Sequence, residues 1–262
     1  MKTVSEFRKS KSKEKISIVT CYDYWSARII DESDIDAALV GDSLAMVIHG
    51  YETTVNADID LMALHTSAVK RGITNKLIIA DMPFLAHRRG KDKLIENAGK
   101  LIKAGAQALK IEGGDQDTID SIRYLIDSGI PVMGHLGLTP QSVHKFGGFK
   151  LRGKEKEEAD FIIESAGKLE SAGCFGIVLE MVPSQIAKEV TEQISIPTIG
   201  IGAGMYTDGQ VLVLHDLLGF NKNFSPKFLR KYLDGYGSIK NAVNAYSRDV
   251  KNGNFPNKNE SY

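Results

Sequence analysis

Seven polar residues sit where an apolar chain has no need of them. Asp42 and Ser43 follow the run "AALV", Asp81 ends "KLIIAD", Lys110 and Glu112 lie two residues apart in "ALKIE", His135 ends "PVMGH", and Glu180 ends "GIVLE". Three carboxylates brought together in a partly desolvated place repel one another, so they need a proton or a cation to coexist. Asp42, Asp81 and Glu112 follow three successive apolar runs. An all-oxygen set of this kind suits a hard cation such as Mg2+. Lys110 and Glu112 share one face of a strand, because side chains alternate with period two. A lysine there asks for an anionic partner, either the acids or a carboxylate substrate. An acid between Leu179 and Met181 suits a general base working near neutrality. His135 is placed to hydrogen-bond a substrate oxygen. Each residue also has a plainer reading. The acids can be N-caps of helices that start just after strands. Lys110 can lie outside a barrel, Glu180 can form an ion pair, and His135 can be structural.

The elements that would position these residues repeat. Short apolar runs rich in Ile and Val recur about eight times: "ISIVT", "AALVG", "KLIIAD", "ALKIE", "PVMGH", "GIVLE", "PTIGIG" and a weaker "VLVLHD" at 211–216. They are continuous rather than alternating, as strands covered on both faces of a parallel sheet are. Between them lie segments of helical period, such as "DLMALHTSAVKRG" and "DKLIENAGKLIKAG". Acids and prolines open these segments, and glycines close several of them. Repeated strand–helix alternation over 262 residues predicts a single α/β domain, a closed (β/α)8 TIM barrel spanning 1–262, with a polar tail from about 248. Barrel active sites lie at the carboxyl ends of the strands, which is where the polar residues fall. No strand-linked GxGxxG or GxxxxGK[ST] pattern is present. Two segments are longer than turns require, 49–58 and 144–158. The second carries Gly, Phe and Lys residues suited to closing over a barrel mouth.

Composition narrows the classes. Lys+Arg and Asp+Glu both number 33, so charge offers no footprint for nucleic acid or an anionic membrane. No apolar stretch reaches the roughly 20 residues that cross a bilayer. Cys21 and Cys174 lack the spacing of a zinc site or a disulfide framework and read as buried hydrophobes. The expectation is a cytoplasmic protein.

From "TCYDYWSA" to "VLVLHDLLG" the chain resembles the ketopantoate hydroxymethyltransferase family. "VGDSL", "ADMPF", "LKIEGG", "GHLGLTPQS", "GGFKLRGK", "VLEMVP" and "IGIGAG…TDGQVLVLHD" occur in that order. The resemblance implies a barrel of the phosphoenolpyruvate mutase/isocitrate lyase type. It also implies transfer of a one-carbon unit from 5,10-methylenetetrahydrofolate to 3-methyl-2-oxobutanoate, giving 2-dehydropantoate on the route to pantothenate. Carried over by motif, Asp42 and Asp81 are magnesium ligands and Glu112 is a third metal-site acid. Ser43, with Asp42, Asp81 and Lys110, falls at the substrate-binding positions, and Glu180 at that of the general base. The assembly implied is a homodecamer of two pentamer rings. Ala45 after "GDSL", Met205 after "GIGAG" and "FLAHRR" after "DMP" depart from the family pattern without touching these residues. A second reading stays open, another Mg-dependent 2-oxo acid enzyme that works on C–C or P–C bonds on the same barrel.

Overall fold

Runs such as Leu77–Asp81 are apolar on both faces, so they are stable only where helices cover one face and a packed interior the other. The computed structural model, which describes residues 3–262, resolves this requirement as a closed barrel. In chain order the elements are α1 (Val4–Lys9), β1 (Ile16–Thr20), α2 (Tyr24–Glu32), β2 (Ala37–Val40), α3 (Leu44–Val47), α4 (Ile59–Gly72), β3 (Leu77–Asp81), α5 (Lys91–Ala104), β4 (Ala108–Glu112) and α6 (Gln116–Asp127). They continue with β5 (Val132–Gly137), α7 (Val143–Phe146), α8 (Lys156–Ser171), β6 (Ile177–Glu180), α9 (Ser184–Gln193), β7 (Thr198–Ile201), β8 (Gly209–Leu212), α10 (Leu214–Leu217) and α11 (Gly235–Lys251). Each strand pairs in parallel with the next, and β8 closes onto β1. The eighth strand begins two residues before the "VLVLHD" run, and His215 and Asp216 lie in α10 instead.

The barrel interior is built by period-two alternation. Ile16, Ile18, Ala37, Leu39, Leu77, Ile79, Ala108, Met133, Val178, Ile199 and Val211 form one buried cluster. Phe7 of α1 joins it and meets Phe175 edge to face, ring centroids 5.3 Å apart. Counting on by twos from these inward residues reaches Asp81 on β3, Lys110 and Glu112 on β4, His135 on β5 and Glu180 on β6. The same alternation that fills the core therefore turns these polar groups inward, one layer above it.

Helix starts are capped by other acids. Asp23 caps α2, Asp58 caps α4 and Asp115 caps α6, each accepting a backbone N–H with its side chain. None of Asp42, Asp81 and Glu112 caps a helix: α3 and α5 start at Ser43 and Gly90 without a side-chain cap, and α6 after β4 is capped by Asp115. Cys21 and Cys174 are free and buried. Burial pushes their thiols up to about 11 and about 12, so both stay protonated at neutral pH.

The first compact unit ends at Val213 and contains all eight strands; the second comprises Leu214–Tyr262. Helix α11 runs through Arg248, so the polar segment from about 248 opens as helix. Arg248 and Lys251 sit in the last turn of α11, where cations oppose the helix dipole. No helix among the described residues is long and apolar enough to cross a membrane.

Candidate active site

β-sheet register places the inward polar residues side by side. Asp81 is paired with Lys110, Glu112 with His135, and Gly137 with Glu180. The Lys110 Nζ lies 3.1 Å from Asp81 Oδ1, 3.8 Å from Glu112 Oε1 and 3.0 Å from His135 Nδ1. Lys110 is thus inside the barrel and almost fully buried. On the far side of the imidazole, His135 Nε2 faces Glu180 Oε2 at 3.3 Å. Asp42 comes one residue after the inward-facing position of β2, which Gly41 occupies. Its backbone N–H donates to Asp81 Oδ2 at 3.0 Å, which draws it into the same cluster. A Cβ on Gly41 would lie 2.9 Å from the Ser43 hydroxyl, so glycine there leaves room for Ser43. The Ser43 Oγ shares a 2.8 Å hydrogen bond with Tyr22 Oη.

The charge states follow from burial. Desolvation, then repulsion from Asp81 and Glu112, hold Asp42 well above the usual carboxylate range. Burial also raises Asp81 and Glu112, against the pull of Lys110. Burial opposes the Lys110 charge as well, but Asp81, Glu112 and Asp42 together outweigh it and keep the ammonium protonated. His135 is pushed down by burial and by Lys110, so its ring is neutral. An ammonium can only donate, which makes Nδ1 the acceptor from Lys110 and leaves the ring proton on Nε2, on the side of Glu180 but without an aligned hydrogen bond to it. The Glu180 side chain is 19% exposed against 2% for His135, so it is the more open of the pair.

The structure brings together all seven residues singled out by sequence and adds two more. Gln141, in the short 3-10 turn Pro140–Ser142, donates from Nε2 to Asp42 Oδ2 at 2.8 Å and from its backbone to Glu112 Oε2 at 3.0 Å. No spacing rule marks it, since it lies beyond the end of β5. Tyr22, just past β1, obeys the same strand-end pattern as the acids and was findable by it. The segment 144–158 is less of a loop than its composition suggests, because α7 and α8 take both ends. Arg152 stacks on Phe146 at 3.9 Å and donates its backbone N–H to Met181 O at 2.7 Å, next to Glu180. Met181 has φ +48, and Gly137 has φ +91 at a place where a Cβ would strike the Glu180 carbonyl. Both fix the backbone that carries Glu180.

A family model described as ketopantoate hydroxymethyltransferase matches residues 1–258. The chain belongs to the ketopantoate hydroxymethyltransferase family. Among its relatives, the 3-methyl-2-oxobutanoate hydroxymethyltransferase of Bdellovibrio bacteriovorus is 52% identical over 263 residues, covering 100% of both chains. That of Legionella pneumophila (strain Lens) is 51% identical over 254 residues, covering 97% of each. At such identities over the full length, the chain is an enzyme of this hydroxymethyltransferase family, and the phosphorus–carbon alternative loses its ground. The barrel also resembles phosphonopyruvate hydrolase solved with oxalate and Mg2+, with a TM-score of 0.65 at 10% identity, over 99% of this chain and 93% of that one. A 2,3-dimethylmalate lyase of the PEP mutase/isocitrate lyase superfamily gives a TM-score of 0.59 at 14% identity, over 96% and 87%. At these identities the likeness is one of fold. The hydroxymethyltransferase family membership thus rests on the sequence relatives, and the barrel on the coordinates.

Proposed function

We propose that the chain transfers a hydroxymethyl unit from 5,10-methylenetetrahydrofolate to 3-methyl-2-oxobutanoate. The product is 2-dehydropantoate, for pantothenate synthesis in the cytoplasm. The observation that carries this reading is the convergence of Asp42, Asp81, Glu112 and Lys110 in a buried cluster, with a neutral histidine between that cluster and Glu180.

The donor set fits Mg2+. Three buried carboxylates against one ammonium leave two negative charges uncompensated when all are ionised. Asp81 Oδ1 and Glu112 Oε1 are buried without an aligned hydrogen bond. As they stand, no three or more His, Cys, Asp or Glu side chains among the described residues are arranged to hold a metal ion by themselves. Mg2+ does not need such a set, since it is held by a few carboxylates and completes its shell with water and substrate oxygens. Asp42, Asp81 and Glu112 would hold it. When bound, it supplies Lewis-acid stabilisation of the charge that develops on the substrate's 2-oxo oxygen.

The chain's own residues do the rest. Lys110 and the Ser43 hydroxyl, oriented by Tyr22, bind the substrate's carboxylate and keto end. Asp42 and Asp81 line the same position, and His135 donates from Nε2. Glu180 takes the C3 proton, and the carbon so activated attacks the folate-borne methylene. Water then supplies the hydroxyl as the carbon–nitrogen bond to the folate breaks, and tetrahydrofolate leaves with the hydroxymethyl product released. A turnover assay with 3-methyl-2-oxobutanoate and the folate donor, with and without chelator, is expected to show metal-dependent formation of 2-dehydropantoate. Asp81→Asn should weaken metal-dependent substrate binding at least about tenfold, equivalent to ~1.4 kcal/mol. A titration of the wild-type chain that shows no dependence on metal would count against the metal site.

The resemblance to decameric assemblies has a physical counterpart on α11. Tyr236, Ile239, Val243, Tyr246 and Val250 are all exposed and follow a 3-4-3-4 spacing, the apolar seam of a helix that packs on another helix. We read this stripe as a contact between copies of the chain in a homodecamer of two pentamer rings. Light scattering after size exclusion should give an oligomer for the wild type and a smaller species for Ile239→Glu/Val243→Glu. A monomeric wild type would refute it.

A further inference from the structure

One buried side chain outside the family of acids ties three strand ends together. Gln141 is 5% exposed and follows β5, yet its contacts are with the ends of β2, β3 and β4. Its Nε2 donates to Asp42 Oδ2 at 2.8 Å and to Met82 O at 3.0 Å, and its main-chain N–H donates to Glu112 Oε2 at 3.0 Å. A backbone carbonyl can only accept, so the amide cannot be flipped without setting oxygen against oxygen. Both amide protons are thereby committed, one to the carboxylate and one to the turn that follows Asp81.

The effect on the cluster is specific. Each of the three carboxylates has one oxygen held by a fixed donor: Asp42 Oδ2 by the Gln141 amide, Glu112 Oε2 by the Gln141 backbone, and Asp81 Oδ2 by the Asp42 backbone. A carboxylate gripped by one oxygen loses its rotation about the last side-chain bond and presents the other in one direction. A small hard cation with strict octahedral demands gains most from ligands aligned before it arrives.

We propose that Gln141 is a positioning residue. By fixing Asp42 and Glu112 it sets the affinity of the carboxylate cluster for a divalent cation, without touching the cation or the substrate. The proposal rests on the assignment of Asp42, Asp81 and Glu112 as the metal site. The probe is Mn2+ bound to the full-length, substrate-free chain, followed by the electron paramagnetic resonance signal of the free ion. Gln141→Met keeps length and the backbone donor but removes both amide donations. It should weaken Mn2+ binding about 10- to 100-fold, the usual effect of losing a partner of a ligand. Gln141→Asn retains a polar amide in the buried site but falls one methylene short, and should show a loss in the same direction if the methionine variant fails to fold. In an Asp42→Ala background the further loss from Gln141→Met should shrink to within about twofold, because the group it acts through is gone. A general structural role would give the same loss in both backgrounds and would overturn the proposal. So would wild-type affinity in both Gln141 variants while Asp81→Asn binds weakly; that result would leave the metal site standing. If the wild type binds no Mn2+, or Asp81→Asn binds it as well as the wild type, the metal site falls, and the role of Gln141 with it.

Discussion

Glu180→Gln should abolish exchange of the substrate's C3 proton with solvent deuterium while leaving 3-methyl-2-oxobutanoate bound within about twofold. Removal of a positioned base costs about 10^2 to 10^4 in rate, so turnover should fall by that amount. The substitution keeps shape and removes only the ability to accept a proton. Glu180 is the least buried of the inward polar residues and pairs with no ammonium, so its neutralisation leaves the cluster around Lys110 intact. The neighbouring His135 carries its proton on Nε2 and is neutral, so it cannot take over as base on that side without a change of tautomer. Exchange at the wild-type rate in the variant would remove Glu180 from the role of base.

The second large effect is on stability. Lys110→Met should lower stability by about 3–5 kcal/mol, the usual result of removing one partner from a buried ion pair. For a chain of this size that corresponds to a fall in Tm on the order of 10 °C. The ammonium is held between Asp81 and Glu112, and both carboxylates already have raised pKa values because burial disfavours their charge. A carboxyl whose folded pKa is raised binds more protons folded than unfolded. Stability therefore falls as pH rises from the unfolded pKa through the folded one. Removing Lys110 raises the folded pKa values further and extends that window to higher pH. The deficit relative to wild type should then be largest above neutrality and shrink towards pH 5. Urea denaturation of both proteins in chelator at pH 5 and pH 8 measures it, and equal stability at pH 8 would contradict the ion-pair assignment. Loss of activity is expected as well, since Lys110 holds the cluster and faces the substrate.

Much of this was legible before folding. Continuous Ile- and Val-rich runs separated by helical segments require a parallel sheet covered by helices, and eight of them in a chain of this length close into a barrel. Period-two alternation links Leu77 and Ile79 to Asp81, Ala108 to Lys110 and Glu112, Met133 to His135, and Val178 to Glu180. The inward direction of the polar residues is therefore a local property, set by the pleat of each strand. The quoted motifs also carry the family.

What the strands do with those residues is not local. Whether Asp42, Asp81 and Glu112 cap helices or converge depended on barrel closure, which sets the ends of β2, β3 and β4 side by side. Which groups Lys110 meets inside the barrel depended on the register that sets it beside Asp81. The beginning of β8 was misplaced because Gly209 and Gln210 carry no apolar signal, and only pairing with β1 and β7 draws them into the sheet. Gln141 meets Asp42 across 99 residues of chain, through a turn whose residue types say nothing of the partner. The sequence by itself determined which strand faces carry polar groups, because alternation is written into each short run. Only the tertiary structure decided which of those groups touch and which are charged. Closure of the barrel fixes the distances between strands, and burial together with those distances sets the charge states of Asp42, Asp81, Lys110, Glu112 and His135.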